Sequence, residues 1–284
     1  MDSLRDLSVA AERCFLRALG VYELQPAETA DDDLRALGRD YGIKIVTKDQ
    51  LDCADLSYDA PTNTQLKNAK SKIVEEMRLY PKEAIEKTRI EQIVLCRNLR
   101  LGEKRAAGTL KVGLHYVDTL FLDVSVFRFS VIHGRRTFHH EIYHAIDFRD
   151  TFHGYADAAW GKLQGDDFQY ELDRAIELHH YLGSDPSDVQ PREFDDPYHW
   201  MSAQDSATPG FVSEYAKYSI PEDKAELYCY LLVSYNDVMT RAAADKILMR
   251  KIERMKQMLK SYIPQFDEAF WNEKAAARKL RERK

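Results

Sequence analysis

The chain has 284 residues, 44% of them hydrophobic and 31% charged, with a formal net charge of −6. That supplies a core for one large domain, or for a catalytic domain with a smaller attachment. The acidic balance, with no part of the chain concentrating enough Lys and Arg for that task, argues against nucleic acid as the main partner, and no run approaches the roughly 18 apolar residues of a membrane span.

Taken from the N-terminus, Leu4, Leu7, Ala11, Phe15 and Leu19 recur at helical spacing, so Ser3 to Leu19 reads as an amphipathic helix. Charges interrupt its apolar residues, which removes the unbroken apolar core of a signal peptide. The expected location is therefore the cytoplasm, or the outside of a cell reached without a cleavable signal. Asp31 to Tyr41 reads as a second helix and Gly42 to Thr47 as a short strand. Residues 52–65 look polar and turn-rich. Thr64 to Leu79 and Pro81 to Lys87 return to helical texture.

The composition then changes. Ile90 to Arg97, Thr109 to Val117 and Thr119 to Val126 are rich in Val, Leu, Phe and Tyr and read as strands divided by glycine-containing turns. A helix follows from Arg135 to Phe148. Residues 151–212 form a long polar and aromatic segment, read as an insertion that shapes or gates a groove, with one helix near Tyr170 to Tyr181. Helices are expected over Pro221 to Met239 and Ala242 to Tyr262, with a last one after Pro264. Arg278 to Lys284 reads as a solvated helix end. The four cysteines, Cys14, Cys53, Cys96 and Cys229, are scattered and form no CxxC pair, which gives neither a disulfide framework nor a cysteine zinc site. The expected organisation is a mostly helical N-terminal region, 1–88, packing on a catalytic region, 89–284. The fold class is α+β: a small mixed sheet on an active-site helix, followed by a mainly helical half.

The chemistry concentrates at Phe138-His139-His140-Glu141-Ile142-Tyr143-His144-Ala145-Ile146-Asp147, which contains HExxH. Residues four apart lie on one helical face, so His140 and His144 can turn imidazole nitrogens toward one ion. Zinc accepts such nitrogens and keeps an open position in catalytic sites. Glu141 falls beside that face, where a carboxylate reaches a water rather than the metal and serves as general base. The motif arises by chance in a chain of this size only roughly two times in a hundred. His139 points elsewhere around the helix and reads as a packing residue.

A third ligand is needed. Asp150 has the spacing of extended HExxH motifs, but Asp147 stands where those place a turn-forming glycine. Glu222 and Glu226 are the stronger candidates. Pro221 suits the start of a helix, and the two glutamates then share one face, one able to ligate and the other to orient a histidine. His153, His179, His180 and His199 show no convincing ligand spacing.

The pattern HEIYHAID followed by S-x-Y-A-x(5)-E-D-x-A-E resembles the catalytic core of the lethal-factor-like zinc peptidases, which include the Pro-Pro endopeptidases and related bacterial zinc-binding metallopeptidases. The resemblance runs from about Ile90 to Leu232 and is dense only at the two motifs. It implies a zincin-like peptidase with one zinc per chain and peptide or protein as substrate. By position it makes Glu222 the third ligand, Tyr215 the catalytic tyrosine and Glu226 a supporting acid, with Asp147 in the place of an acid that follows HExxH. Tyr218 is a weaker candidate than Tyr215. The departures are a longer segment between His144 and Tyr215, and Ser219 where asparagine is frequent. In such enzymes an edge strand holds the substrate, and either Thr119 to Val126 or Thr109 to Val117 would serve. Two rival readings keep the metal. One is a non-catalytic binding protein using the stripe Ile247, Leu248, Ile252, Met255, Met258 and Leu259. The other is hydrolysis of a non-peptide amide.

Overall fold

The structure is a computed structural model that describes residues 32–47, 56–113, 116–151, 157–165, 167–174, 176 and 207–273. The expected helix Ser3 to Leu19, most of the helix expected at 170–181, the tail from Arg278, and His153, His179, His180 and His199 lie outside these residues.

The architecture is α+β. In chain order the elements are α1 (Asp32–Tyr41), β1 (Lys44–Val46), β2 (Leu56–Asp59), α2 (Asn63–Met77), α3 (Lys82–Thr88), β3 (Gln92–Leu101), β4 (Lys104–Arg105), β5 (Gly108–Gly113), β6 (Tyr116–Asp123), α4 (Val126–Phe129), α5 (Val131–Thr151), α6 (Ala158–Gln164), a 3-10 turn (Tyr215–Lys217), α7 (Ile220–Val233), α8 (Tyr235–Ala242) and α9 (Lys246–Tyr262). The sheet order is β1-β3-β6-β5, with β2 and β4 added to the far end of β3. β1 and β6 run parallel to β3, and β5 runs antiparallel to β6.

β3 explains itself from its sequence. Residues 92–96 are covered on both faces, so Ile93, Val94, Leu95 and Cys96 form a continuous apolar run rather than an alternation. One face joins the main core with Leu34, Ile73, Ile85, Phe138 and Ile142. The other packs a smaller cluster of Val46, Val94, Cys96, Leu99 and Phe121. The main core draws residues from both sides of residue 88 and reaches Trp271.

Several boundaries differ from the sequence reading, each for a local reason. Residues 52–65 hold a strand, β2, whose pairing with β3 is long-range and leaves no short-range signature. α2 begins one residue earlier than expected because Thr62 and Gln65 form a reciprocal capping box. α5 begins at Val131, where the Ser130 hydroxyl accepts the His133 N–H at 3.2 Å and caps the first turn. The helix expected at 221–239 is two helices, broken at Ser234, whose φ of −136° and ψ of 42° are not helical. α9 starts at Lys246 because the Asp245 side chain accepts the N–H groups of Ile247 and Leu248.

Candidate metal centre

α5 carries HExxH and α7 packs along it. α7 is apolar nearly all round, with Leu227, Tyr228, Cys229, Leu231 and Leu232 buried, as an interior helix requires. Tyr143 and Tyr228 meet across the two helices with ring centroids 4.9 Å apart. At the N-terminus of α7 the Ser219 side chain accepts the Glu222 N–H, and Pro221 occupies the first turn. This cap sets the turn on which Glu222 sits.

These elements bring His140, His144 and Glu222 together. Nε2 of His140 lies 3.0 Å from Nε2 of His144 and 2.9 Å from Oε2 of Glu222. The His144 Nε2 to Glu222 Oε2 distance is 3.4 Å. Donors around a tetrahedral zinc at about 2.0–2.1 Å stand roughly 3.3 Å from one another, close to this triangle. Oε2 of Glu222 is buried and makes no hydrogen bond of its own, although two imidazole nitrogens are near it. Such an atom is costly unless a cation takes its lone pair. Burial alone would raise the Glu222 carboxyl, but the His144 and His140 imidazoles overturn this and hold it well below the usual carboxylate range. Two imidazole nitrogens and an ionised carboxylate converging in this way fit a divalent cation with zinc chemistry. Asp150 is exposed at the far end of α5 and is not among these donors.

Around the triad each neighbour has a defined contact. Nδ1 of His140 and Oε1 of Glu226 are 2.9 Å apart. A carboxylate accepting that N–H leaves Nε2 as the free nitrogen. Glu141 is buried, and burial lifts its carboxyl above the usual range, with the His140 and His144 charges pulling it part of the way back. The backbone of β5 crosses directly beside it. A Cβ on Gly108 would fall 2.5 Å from Cγ of Glu141, so only glycine lets strand and carboxylate approach this closely.

Tyr215 is half-buried in its 3-10 turn, with its ring stacked on His140 at 5.9 Å. Burial first, then the charge of Glu222 and a hydrogen bond to it, hold the phenol well above its ordinary pKa. Tyr218 stacks on the outer side of Tyr215 at 6.1 Å.

His139 is fully buried and faces away from the triad. Its Nε2 lies 2.8 Å from Glu76 Oε2 and its Nδ1 lies 2.6 Å from the Tyr80 hydroxyl. Asp147 pairs with Lys224, and both are fully buried. Asp223, next to Glu222 on α7, accepts bonds from Lys251 Nζ at 2.7 Å, the Trp160 indole at 2.8 Å and the Tyr170 hydroxyl at 2.7 Å. The sequence reading assigned no role to Gly108, Ser213, Lys224 or the Asp223–Lys251 pair. In the C-terminal stripe, Leu248, Ile252, Met255 and Leu259 are core residues, and Met258 packs against them.

No known family profile and no curated protein matches the chain. Among solved structures the fold resembles that of a Bacteroides caccae protein described as a "putative zinc-binding metallo-peptidase". The TM-score is 0.50 at 17% identity, over 90% of this chain and 94% of that one. At that identity the likeness is one of fold. Among the described residues no helix is long and apolar enough to cross a membrane.

Proposed function

We propose that the chain is a zinc-dependent metallopeptidase of zincin type, cleaving peptide bonds within a peptide or protein substrate. The observation that carries the reading is the convergence of His140 Nε2, His144 Nε2 and the orphaned Oε2 of Glu222. These three residues would hold one zinc ion, which when bound supplies Lewis acidity toward a water and a carbonyl oxygen.

The remaining roles belong to the chain. Glu141, its carboxyl lifted by burial, accepts a proton from the attacking water and returns it to the leaving amine. Tyr215 stays protonated and donates to the oxygen on which negative charge grows. Glu226 holds His140 by its Nδ1–H, so that Nε2 faces the donor cluster. β5 is the strand suited to bind substrate. It pairs on one side with β6, and no further strand lies beyond it among the described residues, whereas β6 is interior. An extended peptide added to its open edge would run past Gly108 and therefore past Glu141.

The test is metal content per chain by elemental mass spectrometry, in the wild type and in Glu222→Ala, Glu226→Ala and Glu141→Gln. About one zinc in the wild type, its loss in Glu222→Ala, and its retention in an inactive Glu141→Gln are expected. Loss of zinc in Glu226→Ala but not in Glu222→Ala would reverse the two glutamates. A folded wild type that takes up no zinc would end the proposal.

A further inference from the structure

Ser213 touches both halves of this centre with one hydroxyl. Its Oγ donates to Oε2 of Glu226 at 2.6 Å and accepts the Ala216 N–H at 3.2 Å. The other oxygen of Glu226 is the one that holds His140. Ala216 follows Tyr215 in the 3-10 turn, and the Tyr215 ring lies on His140. The serine is itself well fixed. It is 1% exposed, and the two carbonyls before it, of Phe211 and Val212, accept from the Arg241 guanidinium on α8 at 2.8 and 3.1 Å.

A serine that merely shapes a turn would account for the Ala216 contact. It would not account for the bond to Glu226, which crosses from the loop to α7. That bond has the short length of a hydroxyl on an ionised carboxylate. Without it, Oε2 of Glu226 is left in a partly buried place with one donor fewer, and the carboxylate gains a reason to rotate off His140.

We infer that Ser213 is a positioning residue that sets, through one hydroxyl, both the carboxylate orienting His140 and the turn presenting Tyr215. The inference rests on the zinc-peptidase reading. It predicts a compound defect. Tyr215→Phe disturbs turnover alone, because its hydroxyl is no ligand. Ser213→Ala disturbs the metal through Glu226 and turnover through the turn.

The experiment measures zinc affinity by chelator competition, and kcat and KM at saturating zinc on a peptide substrate. It covers the wild type, Ser213→Ala, Ser213→Cys, Ser213→Thr and Tyr215→Phe. Ser213→Ala should weaken zinc binding about 10- to 100-fold, as loss of a partner behind a ligand typically does, and lower kcat with little change in KM. Ser213→Thr, which keeps the hydroxyl, should restore both. Ser213→Cys keeps the volume with a weaker donor and should fall between, which preserves the test if the alanine variant does not fold. Wild-type zinc affinity in both folded Ser213→Ala and Ser213→Cys would overturn the inference while leaving the zinc reading intact. So would a Thr variant as impaired as Ala. Absence of zinc from the folded wild type would overturn both.

Discussion

Asp147 and Lys224 form an ion pair with no solvent access between the two helices that carry the candidate metal donors. Asp147 stands three residues after His144 on α5, and Lys224 two residues after Glu222 on α7. The ammonium also approaches Asp157 at 3.6 Å, which in turn accepts from Arg254 at 2.9 Å and caps α6. The helices are thus joined once by the donor triad and again by buried charge. Removing one partner of such a pair leaves the other uncompensated, at a cost of about 3–5 kcal/mol. Lys224→Met should lower the urea midpoint accordingly. A shift within error of the wild type would show that the pair carries no such weight.

Gly108 gives a test of a different kind. Alanine there must displace Glu141, since the new Cβ falls 2.5 Å from Cγ and 2.8 Å from Oε1. Misplacing a general base forfeits part of its roughly 10²–10⁴-fold contribution. Gly108→Ala should therefore lose peptide turnover while keeping its zinc. Unchanged kcat would mean that the carboxylate yields without consequence.

Tyr215→Phe removes the phenol hydroxyl of the ring stacked on His140. The expected loss is on the order of 10²–10³ in kcat, the usual cost of one oxyanion donor, with metal content unaltered. A change confined to KM would instead place this tyrosine in substrate binding.

Alkaline pH offers a prediction free of the metal. Burial holds the Tyr80 and Tyr143 phenols and the Cys96 thiol well above their ordinary values. In the unfolded chain they ionise near about 10 for tyrosine and 8.5 for cysteine. Each folded value is raised, so the stability tied to it is complete below the unfolded pKa and is lost as pH rises toward the folded one. Above about pH 9 the unfolded state binds fewer protons than the native state, and stability falls with pH. The urea midpoint should hold between about pH 7 and 8 and decline beyond about 9, with the buried phenols ionising only as the protein unfolds. Titration of all the tyrosines near 10 in the folded protein would contradict this.

What the sequence made legible was local. HExxH needs only a helix and a spacing of four, and the pair Glu222 and Glu226 needs the same plus a proline at the start. The apolar run within Ile90 to Arg97 announced a strand, though not that both of its faces would be covered. Pairings between distant segments left no such trace. β2 looks like any polar turn until β3 lies beside it. Ser213 reads as a loop serine until Glu226, 13 residues on, turns its carboxylate toward it. Lys224 and Asp223 resemble ordinary charges at a helix start, where the dipole favours an acid. Only the packing of α5, α6 and α9 around α7 makes them interior. Gly108 is one glycine among 12, and what marks it is the carboxylate across from it.

The two adjacent histidines of α5 point in directions about 100° apart around the axis. His139 is keyed into a buried notch made by Glu76 and Tyr80. A helix turns as a rod, so the notch fixes the azimuth at which His140 and His144 emerge. The angle at which the two donor nitrogens emerge is thus tied to a buried polar contact made elsewhere on the same helix. On the zinc reading, an arriving divalent ion would meet a cradle whose shape this packing has already set.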